Sequence, residues 1–315
     1  MMTRYIIKRL ILLIPLLLGI TFVSFTLLRA LPGDIALSLA GERASQETIE
    51  SIRKEIGVDK SALHQYAGYL KMLMRGDFGR SYYTNRDVLK DIALKFPNTI
   101  KLAFAAMAIA IPLGIIMGYA AAYRKRGTAG KIIDALSLAG LSIPVFWSAI
   151  LIMIVFSLGL KLFPPSGTGN IRFLILPACT LAIPAAATLV RVTRTAVAEV
   201  LGMPFITTAL AKGLPLRRIH IHHVLKNAII PIVTIIGLDF GSYLNGAVVT
   251  ETIFGWDGIG RFTMEGIIKR DYPVIMGCII AGTVAFVFVN LFIDVLYHYL
   301  NPRIRLHGGF NGKEK

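Results

Sequence analysis

An all-α polytopic membrane protein with six transmembrane helices is the fold class this sequence predicts, and three observations carry the prediction. Of its 315 residues 55% are apolar and only 17% charged, against roughly 25% charged usage in a soluble domain, and the mean hydropathy is +0.66. The apolar residues fall in six runs free of lysine and arginine, each long enough to cross about 30 Å of hydrocarbon at about 1.5 Å per helical residue. Basic residues gather beside alternate ends of those runs, as membrane topology requires.

The runs are Leu10–Leu28, Leu102–Tyr123, Ala135–Leu160, Phe173–Val190, Asn227–Thr250 and Tyr272–Ile293, the fifth interrupted by Asp239. Backbone polar groups must be satisfied internally in lipid, and no barrel-like alternation is present, so each run reads as a helix. With the N-terminus inside, the inner segments carry Arg4, Lys8 and Arg9, then Arg124, Lys125, Arg126 and Lys131. Arg191, Arg194, Lys212, Arg217, Arg218 and Lys226 follow, and then Arg303, Arg305, Lys313 and Lys315. The outer segment Leu31–Pro97 is nearly balanced, with ten basic and nine acidic residues, and Glu251–Pro273 has three and four. N and C termini are therefore expected in the cytoplasm of a prokaryotic plasma (inner) membrane. The net charge of +16 follows from this topology, so no nucleic-acid partner is needed to explain it.

The first run follows three basic residues, as a secretory signal would. It exceeds an h-region of about 7–15 residues, and Leu28-Arg29-Ala30 is a poor cleavage site, so a retained anchor is expected.

Residues 31–97 predict small helices. Ser45 suits an N-cap, with Glu47 and Glu50 in the first turn, a stripe of Ile49, Ile52 and Ile56, and Gly57 as the stop. Leu63, Tyr66, Leu70 and Leu73 form a second stripe ending at Gly76. Asn85 is the expected cap of a third helix that stops before Pro97. These narrow stripes need an apolar support, and the segment either braces the bundle or docks an external protein.

The longest inner loop, 191–226, contains P-F-I-T-T-A-L-A-K-G from Pro204. Proline suits a first helical position and Gly213 the residue just past the end. Phe205, Ile206, Ala209 and Leu210 define an apolar face, with Thr207 and Lys212 opposite. A helix this short must pack on something, either the bundle end or a groove of another protein. Leu214-Pro215 breaks the chain before a basic helix running to Lys226. His220, His222 and His223 are spaced poorly for sharing one ion on a helix, so no metal site is expected.

No G-x-x-x-x-G-K-[ST] loop is present: Gly127-Thr128-Ala129-Gly130-Lys131 lacks the earlier glycine and continues with Ile132. No H-E-x-x-H, G-x-S-x-G or G-x-G-x-x-G occurs either, and Cys179 and Cys278 lie within apolar runs. The sequence thus offers no catalytic residue, no metal ligands and no cofactor site of its own. Asp239 is the one ionisable residue well inside a run, where such groups face a bundle interior or wet cavity. Asp239, Asn245 and Glu251 are the candidates for a translocation path. A stand-alone gradient-driven carrier or channel is the alternative class, although no internal repeat of the kind such carriers use is evident.

Several stretches together resemble a known family. They are R-Y-I-I-K-R-L-I-L-L-I-P from Arg4, L-L-R-A-L-P-G-D from Leu27, G-D-F-G-R-S from Gly76 and S-I-P-V-F-W ending at Trp147. More specific are A-L-A-K-G-L-P-L-R-R with H-H-V-L-K-N-A-I-I-P, from Ala209 to Pro231, and V-V-T-E-T-I-F-G-W-D-G-I-G-R from Val248. R-D-Y-P-V-I from Arg270 and N-P-R-I-R from Asn301 complete the set. The chain is similar in these features to the first permease subunit of binding-protein-dependent ABC importers for dipeptides, oligopeptides and nickel. Departures are Ile35 in place of a frequent proline, Trp256-Asp257-Gly258 in place of W-P-G, Pro204-Phe205 in place of an acidic-aromatic pair, and Asp239 in place of a frequent glutamine.

The resemblance implies the type I ABC importer permease fold. Residues 1–97 would be an anchor helix plus external helices, 98–303 the permease core with an EAA coupling loop at 191–226, and 304–315 a cytoplasmic tail. Implied partners are a homologous second permease subunit, two ABC ATPase subunits that hold ATP and Mg, and an extracytoplasmic solute-binding protein. Pro204, Phe205, Ala209, Leu210, Lys212 and Gly213 would couple to the ATPases. Peptide is the first choice of cargo, and nickel or a metal chelate the second.

Overall fold

A computed structural model describes residues 2–30, 36, 39, 45–56, 61–123 and 127–300. Ile35, Gly57, Arg124, Lys125, Arg126, the N-P-R-I-R stretch and the tail 304–315 lie outside them. Helices are the only named regular elements among the described residues: α1 (Met2–Ala30), α2 (Gln46–Ile56), α3 (Ala62–Leu73), α4 (Val88–Tyr123), α5 (Thr128–Ser142), α6 (Val145–Ile152) with a following π-helical segment (Met153–Gly159), α7 (Ile171–Leu201), α8 (Pro204–Ala211), α9 (Leu216–Leu244, with a π-helical segment Ile219–Leu225), α10 (Val248–Ile253), α11 (Ile259–Lys269) and α12 (Tyr272–Leu300). Five of these are long and apolar enough to cross a membrane, and a sixth crossing is made only if α5 and α6 count as one span.

That pair corrects the expectation of one helix over Ala135–Leu160. The axis bends by 102° between Ser142 and Val145. Ile143 has φ −78° and ψ 122°, because the ring of Pro144 crowds the helical conformation of the residue before it. The chain then restarts with Pro144 as N-cap.

Other boundaries also move. The second span begins at Val88 rather than after Pro97, and the helix runs through that proline. Its cap is Asp87, whose carboxylate accepts from the Lys90 N–H at 3.2 Å, whereas Asn85 adopts φ 54° within the preceding turn. The fifth span ends at Leu244 rather than Thr250, since Gly246 turns the backbone at φ +96° and α10 follows as a separate helix. Most of loop 191–226 is helical, α7 continuing to Leu201.

The chain forms two compact units. One comprises residues 1–100 and 244–285. Within it Val88, Ile92, Ile259, Val274 and Cys278 form one buried cluster, and Leu28, Ile275 and Met276 another. Ser45 caps α2 as expected, accepting from the Thr48 N–H at 3.2 Å, and Ile49 is buried. The support for α3 is α1: Tyr66 meets Phe22 edge to face, lies tilted against Phe25, and donates to the Leu18 carbonyl at 3.0 Å. Leu63 is exposed, and Tyr69 takes its place on the packed stripe.

The other unit comprises residues 101–243 and 286–315. Its core joins Met107, Leu189, Val197, Ile219 and Ile232. Gly114 and Gly118 allow α4 to approach α7 closely: a Cβ would lie 2.4 Å from Leu189 Cβ at the first and 2.6 Å from the Val190 carbonyl oxygen at the second. Small residues four apart bring backbones together in lipid in this way.

Candidate functional site

The coupling segment begins at Pro204, whose missing N–H costs nothing at a first helical position. The α8 helix closes with Gly213 at φ +73°. The Leu214 N–H donates to the Ala209 carbonyl at 3.3 Å and the Gly213 N–H to that of Leu210 at 2.9 Å, the pair of bonds of a Schellman cap. A Cβ on Gly213 would meet nothing within 4 Å, so the positive φ, and not close packing within this chain, selects glycine.

The predicted apolar face divides in two. Ile206 and Ala209 are buried in the core cluster with Val200, Ile219 and Val224, and Leu214 packs against the same cluster. Phe205 and Leu210 are exposed, 38% and 49%, together with Pro204 and Lys212. One side of the helix is thus fastened to its own unit while the other shows two large apolar groups to the surroundings. The next helix starts at Leu216 with Pro215 as N-cap, and His220 Nδ1 is hydrogen-bonded to the Tyr119 hydroxyl.

The path candidates are placed differently from one another. Asp239 lies in the span α9, half-buried, and its Oδ2 is enclosed with no hydrogen-bond partner among the described residues. Asn245 is exposed just beyond the end of α9. Glu251 is fully buried in the unit of residues 1–100 and 244–285. Its Oε1 accepts from Thr99 Oγ1 at 2.9 Å and its Oε2 from the Arg261 N–H at 3.0 Å. Burial raises the Glu251 pKa above the usual carboxylate value, and these hydrogen bonds oppose the rise.

A knot of further bonds surrounds Glu251, and sequence reasoning missed it. Thr99 Oγ1 accepts from the Ile259 N–H at 2.9 Å. Trp256 Nε1 donates to the Asn98 carbonyl at 3.0 Å, Asn98 Nδ2 to the Asp257 carbonyl at 2.8 Å, and Lys95 pairs with the Asp257 carboxylate. The Arg261 guanidinium donates to the Gly255 carbonyl and to Glu265, both at 2.9 Å. The loop 254–261 is therefore rigidly held on the start of α4. The unusual Asp257 contributes through this lysine.

With this geometry the class of protein is a polytopic helical membrane protein. The chain belongs to the family described as "Binding-protein-dependent transport system inner membrane component", which matches residues 96–306, and the family's N-terminal segment matches residues 2–103. It is 39% identical over 313 residues to a putative peptide transport system permease protein of Brucella melitensis, covering 97% of this chain and 99% of the relative. A dipeptide transport system permease protein of Alkalihalophilus pseudofirmus is 36% identical, covering 96% of this chain and all of that one. A glutathione transport system permease protein of Pectobacterium atrosepticum is 38% identical, covering 96% and 99%. Among solved structures, the MetNI methionine ABC transporter has a similar fold, with a TM-score of 0.58 at 14% identity over 68% of this chain and 97% of that one. The protein is accordingly a multi-pass inner-membrane permease subunit, and nucleotide hydrolysis in such systems belongs to a separate subunit.

Proposed function

We propose that this chain forms half of the passage of an ATP-driven peptide importer, with a homologous permease as the other half. Two ATPase subunits holding ATP and Mg on the cytoplasmic side and an external solute-binding protein complete the assembly. Peptide cargo is supported by the names of the relatives above. The observation that carries the reading is the divided α8 helix, fastened by Ile206 and Ala209 and presenting Phe205 and Leu210 outward. An amphipathic helix with exposed anchors of this kind fits a groove on a partner. Because its inner side is embedded in the core, movement of the groove is passed to α7 and α9.

In this reading α8 and both termini lie in the cytoplasm, which the distribution of basic residues supports. Asp239 and Asn245 border the path in this reading, while Glu251, enclosed by its partners, acts behind it by fixing loop 254–261. Residues 98–303 form the permease core, with the coupling loop at 191–226.

The test is a Phe205→Ser, Leu210→Ser double variant in the reconstituted importer. Peptide uptake is expected to fall by more than about tenfold and the ATPases to be lost on co-purification, since two buried apolar anchors together contribute about 3 kcal/mol or more. Wild-type uptake with the ATPases retained would overturn the assignment.

A further inference from the structure

We infer that a cleft bounded by α5, α7 and α9 is a station on the path for the two charged ends of a short peptide, Arg191 receiving its carboxylate and Glu199 its ammonium group. This rests on the peptide reading above. The cleft has a volume of about 470 Å³, within the range of about 300–1,000 Å³ typical of small-ligand sites. All of it lies in the unit of residues 101–243 and 286–315.

One wall is a single face of α7. Thr188, Arg191, Thr195 and Glu199 recur at intervals of three or four and so line up along the helix. The opposite face of α7 carries the buried Leu189, Val190, Val197 and Val200. The threonine hydroxyls donate to their own helix, Thr188 to the Pro184 carbonyl and Thr195 to that of Arg191, both at 3.0 Å. Their lone pairs remain available to a ligand. Leu141 and Pro231 supply apolar surface from α5 and α9.

Both charges are exposed on the rim of this cleft. Arg194, one turn away, is bound to Asp134 at 2.5 Å, whereas among the described residues neither Arg191 nor Glu199 has an ion-pair partner. Eight residues of helix separate them by about 12 Å. An extended chain advances about 3.3–3.6 Å per residue, so a tripeptide spans most of that distance and the side chains reach the remainder. Arginine holds a carboxylate through two parallel bonds, which fixes the direction in which the peptide lies.

The test uses the purified membrane complex of permeases and ATPases, with the external binding protein omitted so that its own selectivity does not enter. A photoreactive tripeptide, Ala-benzoylphenylalanine-Ala, is cross-linked to the complex, and the adducts are mapped. Adducts are expected on α5 and α7. Unlabelled Ala-Ala-Ala is expected to compete about tenfold better than its N-acetylated or C-amidated form, the loss corresponding to one charge-assisted bond. Arg191→Gln should abolish discrimination against the amidated form alone, and Glu199→Gln against the acetylated form alone. Equal competition by all three peptides in the wild type would overturn the inference without recourse to any variant, leaving Arg191 to meet lipid phosphate. Uptake into vesicles supplied with binding protein separates the two readings. Peptide import with no end-dependent competition removes this station only, whereas absence of any peptide import removes the peptide reading and the station with it.

Discussion

A Cβ built on Gly258 would lie 2.5 Å from Oε2 of Glu251 and 2.5 Å from Oγ1 of Thr99, so the carboxylate fills space that only a glycine leaves free. Gly258→Ala is therefore expected to displace the bonded groups and to cost about 1–3 kcal/mol, as overpacking does. Gly68, on α3 with nothing within 4 Å of its built Cβ, is the control. Its change to alanine should leave stability unchanged or raise it by up to about 1 kcal/mol. Thermal denaturation of the purified permease, read as Tm, distinguishes the two.

The raised pKa of Glu251 gives a signed dependence on pH. A carboxyl whose folded pKa lies above its unfolded value binds protons more tightly when folded, so its contribution to stability is greatest below the unfolded pKa. That contribution is lost as pH rises through the interval up to the folded pKa. Tm should consequently fall across that window in the wild type and fall less in Glu251→Gln. An equal pH slope in both proteins would refute the link.

Gly118 is expected to be intolerant of any side chain, because its Cβ position is 2.6 Å from a backbone oxygen and 2.7 Å from Thr193 Cβ. Gly118→Leu should force α4 away from α7 and lower the yield of folded, monodisperse protein severalfold in size-exclusion chromatography. Gly19→Leu on α1, with open space around it, should behave as wild type.

For Gly213 the expected penalty is conformational. Alanine at φ +73° costs about 1 kcal/mol, whereas asparagine tolerates that region better. Peptide uptake by Gly213→Ala should fall less than in the Phe205, Leu210 double variant, with Gly213→Asn intermediate between Gly213→Ala and wild type. A bulky Gly213→Trp, which has room within this chain, should uncouple ATP hydrolysis from uptake if a partner packs there.

Much of this architecture was legible in the residues because lipid imposes a long-wavelength signal: five of the six apolar runs coincide with long helices, and the divided helix at Pro204 starts and stops where its proline and glycine require. The bend at Pro144 was not legible. Pro177, Pro184 and Pro231 also lie in apolar runs, and the helices continue through them, so a proline alone does not distinguish a break from a tolerated interruption. The start of α4 was hidden because Lys101, with Lys90, Asp91 and Lys95 before it, ends the apolar run at Leu102, although the helix begins at Val88. The Glu251 knot joins groups more than 150 residues apart, and no local pattern encodes such a pairing. The close approach at Gly114 and Gly118 was not read from the sequence either, because this chain has 29 glycines and packing is what singles that pair out.

The unit that holds Glu251 is assembled from two stretches of chain, 1–100 and 244–285, with the whole of the intervening segment belonging to the other unit. During synthesis Thr99 and Asn98 therefore emerge long before their eventual partners, and they stay unmatched until residues 251–259 have followed. A truncated product ending before Glu251 is an unfinished body whose Asn98 and Thr99 have no partners in that unit, a form that quality-control proteases would be expected to clear.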